Sequence, residues 1–128
     1  MHWADQYVGQ PGEGTDPCWL LVRKVWAECC GVELPRFDGT DDPETVFRRE
    51  AIARGFREIP LGQEQDFDAV MMLEPVRVGS TLRSQERHIG VVAGKGFALH
   101  ATSSAPACVE PFSILTVSRI LRGPWASP

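Results

Sequence analysis

The chain has 128 residues, which is a length typical of one domain, and its 43% hydrophobic and 23% charged residues are ordinary for a soluble globular protein. The formal net charge of −4 argues against a nucleic-acid binder, which needs a basic surface, and against binding to anionic membranes. No run of 18 apolar residues is present, so no membrane span is predicted.

The N-terminal residues have neither the basic region nor the apolar core of a secretory signal, so we expect synthesis in the cytoplasm. Free thiols are therefore favoured over disulfides. The four cysteines are Cys18, Cys29, Cys30 and Cys108. Their spacing resembles no structural zinc motif, so the sequence predicts neither a metal nor another cofactor.

Two helices are predicted in the N-terminal half. The first runs from Pro17 to Cys30, because proline suits the first helical position, Gly31 suits the stop, and Thr15 or Asp16 can cap the start. Its apolar stripe has helical spacing. The stripe consists of Cys18, Leu21, Val22, Val25, Trp26 and Cys29. The second helix is predicted over Pro43–Phe56.

The chain reads as sheet from Asp68 onward. The predicted strands lie in DAVMML, VRVGS, HIGVVAG, GFALHA, ACVEPF and ILTVSRILRG. Helices followed by antiparallel strands indicate the α+β class, with one domain over residues 1–128. Residues 124–128 are predicted to be a loose tail.

The hairpin HIGVVAGKGFALHA carries two of the three histidines. A three-residue turn at Gly94–Gly96 pairs Gly90 with His100, so His88 and His100 share one face as diagonal neighbours. Gly90 is expected to leave open space between them. The opposite face carries Ile89, Val91, Phe97 and Leu99 as a core face.

Two histidines on one face allow more than one role. They could be structural residues, or they could bind a metal with Asp68 or Cys18 as a third ligand. Alternatively, they could form a nucleophile–base–orienter chain with Cys18, where helix-start amides favour a thiolate. Cys18 also belongs to the apolar stripe, so a small core residue is an equal alternative. The other three cysteines are interpreted as core or surface thiols.

Three segments in this order resemble the NlpC family of papain-like cell-wall cysteine peptidases. They are PCWLLVRKVW, FDAVMML and HIGVVAGKGFALHA. The closest likeness is to the branch found in phage tail-assembly proteins, and WADQYVGQP, GVELP and ACVEPFSIL also resemble that branch. The likeness spans about Trp3 to Ile120 and implies a papain-like fold with N-terminal helices packed on an antiparallel sheet.

The resemblance implies a role for each candidate residue. Cys18 would be the nucleophile, His88 the general base and His100 the residue that orients His88, with no metal or other cofactor. The backbone N–H of Cys18 would help to hold the oxyanion. The implied substrate is the stem peptide of bacterial peptidoglycan. The implied setting is a virion tail tip, with other tail-tip proteins as partners.

Two departures from the family pattern lie beside the nucleophile. Pro17 stands where the family has Asp, and Leu20 stands where it has Gly, so substrate access to Cys18 bears on activity. Three hypotheses follow. The chain is an active peptidoglycan endopeptidase, a structural tail-tip subunit with a weak or inactive site, or an amidase or transferase using the same site. An open groove reaching Cys18 favours the first, and a groove closed by Leu20 or by a partner favours the second.

Overall fold

The computed structural model describes residues 2–12, 16–34, 43–102 and 104–126. Thr15, one of the two predicted caps, lies outside these residues. Within these described residues, the elements are two α-helices and six strands. They are α1 (Pro17–Val25), α2 (Pro43–Glu50), β1 (Arg57–Ile59), β2 (Ala69–Val78), β3 (Thr81–Val92), β4 (Phe97–Thr102), β5 (Ala105–Pro111) and β6 (Val117–Arg122). Short 3₁₀ turns span Trp3–Gln6 and Phe112–Ile114.

The first helix follows the prediction closely. It begins at Pro17 and continues beyond Val25 as a π-helical turn, Trp26–Cys30, before Gly31 ends it in the left-handed conformation at φ 68°. The apolar stripe is buried against the sheet, and Val22, Val25 and Trp26 are fully buried. Burial of this stripe therefore fixes the helix on the sheet and sets where its N-terminus lies.

The second helix is shorter than predicted. It ends at Glu50 rather than at Phe56, because the chain turns through Gly55, which has a φ of 91°. The turn lets the Phe56 amide donate to the carbonyl of Ala51, and Phe56 enters the core while Ile52 stays 63% exposed. The apolar spacing that predicted a helix over residues 51–56 thus reflects a turn that places the Phe56 ring in the core.

All six strands form one antiparallel sheet in the order β1-β6-β2-β3-β4-β5. The chain is therefore an α+β protein, as predicted. Strand β2 joins the predicted strands DAVMML and VRVGS, so the separate VRVGS strand is wrong, and Gly79 and Ser80 form the turn to β3. Strand β3 begins well before the predicted HIGVVAG strand, and its hairpin with β2, which has a register shift between Met72 and Leu73, closes at Val78 and Thr81. Strand β1 lies outside the predicted strands, and it pairs with the edge of β6 over three residues.

Alternating residues of the central strands divide between two buried clusters, so the clusters lie on opposite faces of the sheet. The larger cluster joins the helices to one face, and the smaller one covers part of the other face. Sheet residues of the larger cluster are Ala69, Met71, Ile89, Val91, Leu99, Ala101, Ala107 and Leu121, and those of the smaller cluster are Ile59, Val70, Met72, Val92, Ala98 and Ile120. The helices therefore pack on one face only.

The β3–β4 hairpin has the predicted register. Val91 pairs with Leu99 and Val92 with Ala98, as a three-residue turn at Gly94–Gly96 requires. The predicted core face is wrong at Phe97, which is 43% exposed, but correct at Ile89, Val91 and Leu99.

The expectation of open space at Gly90 is also wrong. A Cβ at this position would lie 2.8 Å from the Leu99 carbonyl oxygen and 3.1 Å from the His100 Cβ. Gly90 is therefore required for close approach of β3 and β4.

The end of the chain returns to the helices. The Trp125 indole lies 5.3 Å from the Trp26 ring and 5.2 Å from the Phe56 ring, measured between centroids. Trp125 of the predicted loose tail is thus packed, and residues 127–128 lie outside the described part of the chain. Among the described residues, none of the helices combines the length and the apolar character needed to cross a membrane.

Candidate active site

Cys18 is the second residue of α1, directly after Pro17. The Leu20 amide donates to the Asp16 carbonyl at 3.0 Å and closes the first turn. Amides at this end of a helix have no carbonyl partner one turn earlier, so they are available to an anion. The Cys18 side chain is 8% exposed, and it packs with the larger core cluster. The nucleophile predicted from the sequence is therefore at a helix start and nearly buried.

The Cys18 thiol hydrogen-bonds to Glu44, the second residue of α2. Sγ donates to Glu44 Oε1 at 2.5 Å, and Glu44 is itself 3% exposed. In the described part of the chain, the side-chain hydrogen bond of this thiol goes to Glu44 and not to His88. The structure thus places a carboxylate where the sequence analysis expected the imidazole.

The electrostatics of Cys18 differ from the sequence expectation. Burial raises the pKa of the Cys18 thiol, and the charge and hydrogen bond of Glu44 raise it further. The backbone amides of Ile89 and Trp19 oppose this shift without reversing it. The expected thiolate is therefore wrong for this conformation, in which Cys18 is a neutral thiol.

His88 and His100 form the contact that the hairpin register predicts. His88 Nε2 lies 2.8 Å from His100 Nδ1, and the two rings meet edge to face. Both side chains are buried, at 6% and 7% exposure. Burial lowers the pKa of His88 to about 4, and the neighbouring His100 contributes to the shift. His88 is therefore a neutral imidazole at physiological pH.

Glu110 on β5 extends this histidine pair. Its Oε1 accepts a hydrogen bond from His100 Nε2 at 2.7 Å. The bond from His100 holds the pKa of the Glu110 carboxyl below its usual range, so Glu110 is ionised. Glu110 is not among the residues that the sequence predicts for the site. Its only signal was an acidic position in the strand that follows the histidine hairpin.

An ionised carboxylate can only accept, and this fixes the direction of the hydrogen bond between His100 and Glu110. His100 must carry its proton on Nε2 to donate to Glu110, so neutral His100 presents an Nδ1 lone pair. His88 then donates from Nε2 to that lone pair and keeps its own Nδ1 free to accept a proton. With a neutral His100, the row Glu110–His100–His88, which we name the relay, leaves His88 Nδ1, 3.7 Å from Glu74 Oε1, as the proton acceptor.

Cys18 and His88 line the same groove, which has a volume of about 490 Å³. Glu44 lies in its wall, and Glu74 reaches within 3.7 Å of His88 Nδ1. The other lining residues are Asp16, Pro17, Pro75, Val76, Arg77, Arg87, Ala101 and Thr102. The groove thus brings the nucleophile and base candidates to one open, polar surface.

Leu20 does not line the groove that holds Cys18. It is 36% exposed and lines a neighbouring cavity of about 290 Å³, which shares Pro17 and Ala101 with the groove. The second departure from the family pattern therefore lies beside the site and does not close it. The group in contact with the thiol is Glu44.

Asp68 and the other cysteines have partners of their own. Asp68, one possible third ligand in the metal alternative, instead forms a buried ion pair with Arg122, with two contacts of 2.9 Å. Cys29 hydrogen-bonds to the Tyr7 hydroxyl at 3.5 Å. Cys108 lies beside His100 and Glu110, and all four cysteines are free.

A scan against protein-family models and a search of curated proteins found no match to this chain.

Proposed function

We propose that this protein is a cysteine endopeptidase with a papain-like fold of the NlpC type, cleaving the stem peptides of bacterial peptidoglycan. The observation that carries the proposal is the relay, which directs the free Nδ1 of His88 toward proton acceptance in a groove that Cys18 also lines. A six-stranded antiparallel sheet with both α-helices on one face is compatible with such a fold.

Acylation is the first chemical step of the proposed reaction. His88 Nδ1 takes the proton of the Cys18 thiol as Sγ attacks the carbonyl carbon of the scissile peptide bond. The carbonyl oxygen becomes an oxyanion, and the backbone N–H of Cys18 at the start of α1 stabilises it. The imidazolium of His88 then donates its proton to the departing amine, which leaves a thioester on Cys18.

Deacylation uses the same groups in reverse roles. His88 accepts a proton from water, and the resulting hydroxide attacks the thioester carbonyl carbon. His88 then returns the proton to Sγ as the carboxylic product leaves. Throughout the cycle, Glu110 and His100 stabilise the positive charge on His88 and keep its ring oriented, which is the role of the third residue in other triads.

The Cys18–Glu44 hydrogen bond must open before acylation, because the thiol proton must reach His88 instead of the carboxylate. Substrate entering the groove would displace Glu44 from Sγ. This contact also favours a second candidate function, namely a structural tail-tip hub subunit with a weak or inactive peptidase site. In that case the Glu44 contact persists and the thiol stays neutral.

The setting of the proposed activity is a phage or phage-like tail tip, where the domain would help to open the cell wall. The support is the resemblance of the Cys18, Phe67–Leu73 and His88–Ala101 segments to the tail-assembly branch. The protein would be made in the bacterial cytoplasm and carried in the virion tail. Its partners would be peptidoglycan peptides and neighbouring tail-tip proteins, with no nucleic acid.

Release of stem-peptide fragments from purified peptidoglycan tests the proposed activity. Wild type is expected to release fragments, and Cys18→Ala is expected to release none while keeping the circular dichroism spectrum of the wild type. Cys30→Ala is the matched control, since it removes another thiol from the same helical segment. Equal release by wild type and Cys18→Ala would refute the peptidase, and no release by either would favour the structural subunit.

A further inference from the structure

Three metal-binding side chains meet where β4 pairs with β5. His100 and Cys108 are register partners, and Glu110 lies two residues beyond Cys108 on the same strand. Cys108 Sγ lies 4.0 Å from His100 Nε2 and 3.4 Å from Glu110 Oε1, and Nε2 lies 2.7 Å from that oxygen. One imidazole nitrogen, one thiol and one carboxylate oxygen thus lie within 4.8 Å of one another.

We propose that His100, Cys108 and Glu110 form a zinc site. Zinc bonds of about 2.0 to 2.3 Å in a tetrahedron separate the ligand atoms by about 3.4 to 3.6 Å. The Sγ–Oε1 distance already has this value, and the other two distances bracket it. The main adjustment is an opening of the His100–Glu110 distance by about 0.7 Å. The Glu110 side chain can supply it because it is 33% exposed.

The composition of the site selects the type of metal. Nitrogen and thiolate ligands favour zinc and related borderline metals over calcium and magnesium, which take oxygen ligands. Three protein ligands leave a fourth position for water or another ligand, as in zinc sites with an open coordination position. Cys108 and Glu110 are half-buried, so the metal can enter from solvent.

Zinc binding changes the direction of the relay, and this consequence rests on the proposed peptidase function. The metal needs the lone pair of His100 Nε2, so His100 carries its proton on Nδ1 and donates it to His88 Nε2. Neutral His88 then holds its proton on Nδ1, which faces Glu74 at 3.7 Å. Cys108 releases one proton to solvent, and the histidines gain and lose none overall. His88 can no longer accept the Cys18 proton, so zinc switches the peptidase off.

Metal binding is best measured without the catalytic thiol. In Cys18→Ser, we expect one equivalent of zinc to bind, measured by competition with a chromophoric chelator. Cobalt is expected to give a thiolate-to-cobalt charge-transfer band. Adding Cys108→Ser should abolish the band and weaken zinc binding by at least about tenfold, whereas adding Cys30→Ser should change neither. Circular dichroism verifies that each variant is folded.

Activity then tests the consequence separately. Each variant is compared with its own metal-free rate of stem-peptide cleavage. Zinc should inhibit wild type and Cys30→Ser, and Cys108→Ser should lose that inhibition. Failure of Cys18→Ser to bind zinc, or equal binding by the Cys108→Ser double variant, overturns the site whatever the activity. Zinc bound at Cys108 without inhibition of an active wild type overturns the switch. An inactive wild type that binds zinc refutes the peptidase and leaves the zinc site supported.

Discussion

Glu110 gives the histidine pair a direction that the two imidazoles lack by themselves. Either ring of a neutral pair can donate to the other, and the two arrangements differ in whether His88 Nδ1 is a base. The 2.7 Å bond from His100 Nε2 to the Glu110 carboxylate selects the arrangement that leaves Nδ1 free. Glu110, which does not line the groove, would thus determine whether His88 can act as the proposed base.

Glu110→Gln is expected to lower kcat for stem-peptide cleavage by at least about tenfold, with little change in KM. The glutamine amide can donate as well as accept, so the tautomer of His100 is no longer fixed, and the positive charge that forms on His88 is less stabilised. Steady-state kinetics measure the effect.

Glu58→Gln is the matched control, because this exposed glutamate lies on β1 at the opposite edge of the sheet. A Glu110→Gln enzyme as fast as the Glu58→Gln enzyme would remove Glu110 from the mechanism.

Glu44 acts on the thiol in the opposite sense. A negative charge beside Cys18 disfavours the thiolate, and burial of both side chains strengthens the effect. Wild-type Cys18 is therefore expected to alkylate slowly at neutral pH, instead of being the fastest of the four cysteines as a helix-start thiolate would be.

Glu44→Gln is expected to lower the pKa of Cys18, because it removes the neighbouring charge and leaves an amide of similar shape. Alkylation by iodoacetamide at pH 7 should become at least about tenfold faster, since one pKa unit changes the thiolate fraction tenfold. The pH at which alkylation reaches half its maximal rate should fall. Peptide mass spectrometry follows each cysteine, with Cys30 as the internal control. An unchanged Cys18 rate would contradict a role for Glu44 in holding the thiol neutral.

At the scale of elements, the β3–β4 hairpin positions the relay. Turn length and strand parity predict that His88 and His100 are neighbours, because side chains alternate strictly along paired strands. Glu110 could not be predicted in the same way. Its approach to His100 depends on the register of β5, which is shifted by an irregularity between His100 and Thr102. The register of a hairpin with a short regular turn can be predicted from the sequence, whereas a β-bulge shifts the register in a way that the sequence does not show.

Gly90→Ala is expected to destabilise the hairpin and the relay together. The added methyl group would meet the Leu99 carbonyl at 2.8 Å, and the backbone must shift. We expect the free energy of unfolding to fall by about 1–3 kcal/mol and the peptidase activity to fall with it. Urea unfolding and peptide cleavage measure the two effects.

Gly79→Ala separates stability from relay geometry. Gly79 has a φ of 63° in the β2–β3 turn with open space around it, so alanine adds backbone strain of about 1 kcal/mol. Its stability should fall while its kcat stays at the wild-type value. Equal activity of Gly90→Ala and Gly79→Ala would show that the close approach of β3 and β4 at Gly90 is not needed for the geometry of the relay.

In the whole molecule, Cys18 lies on a helix and the relay residues lie on the sheet. The sequence predicts the α+β class and the start of α1 because periodic burial and a proline determine both. It cannot predict that Glu44 reaches the thiol, since this contact depends on how α2 packs across residues distant in the chain. The local environment of Cys18 is therefore a property of the assembled core and not of α1 alone.

The central claim is that Cys18, activated by the relay, forms a covalent intermediate with a stem peptide. Rapid acid quenching after mixing with a synthetic stem peptide, followed by peptide mass spectrometry, tests it directly. We expect an acyl group on Cys18 that corresponds to the N-terminal part of the substrate. That group should be absent from Cys18→Ala and scarce in Glu110→Gln. Cleavage of the peptide by Cys18→Ala, or an acyl group on another cysteine instead of Cys18, would rule out Cys18 as the nucleophile.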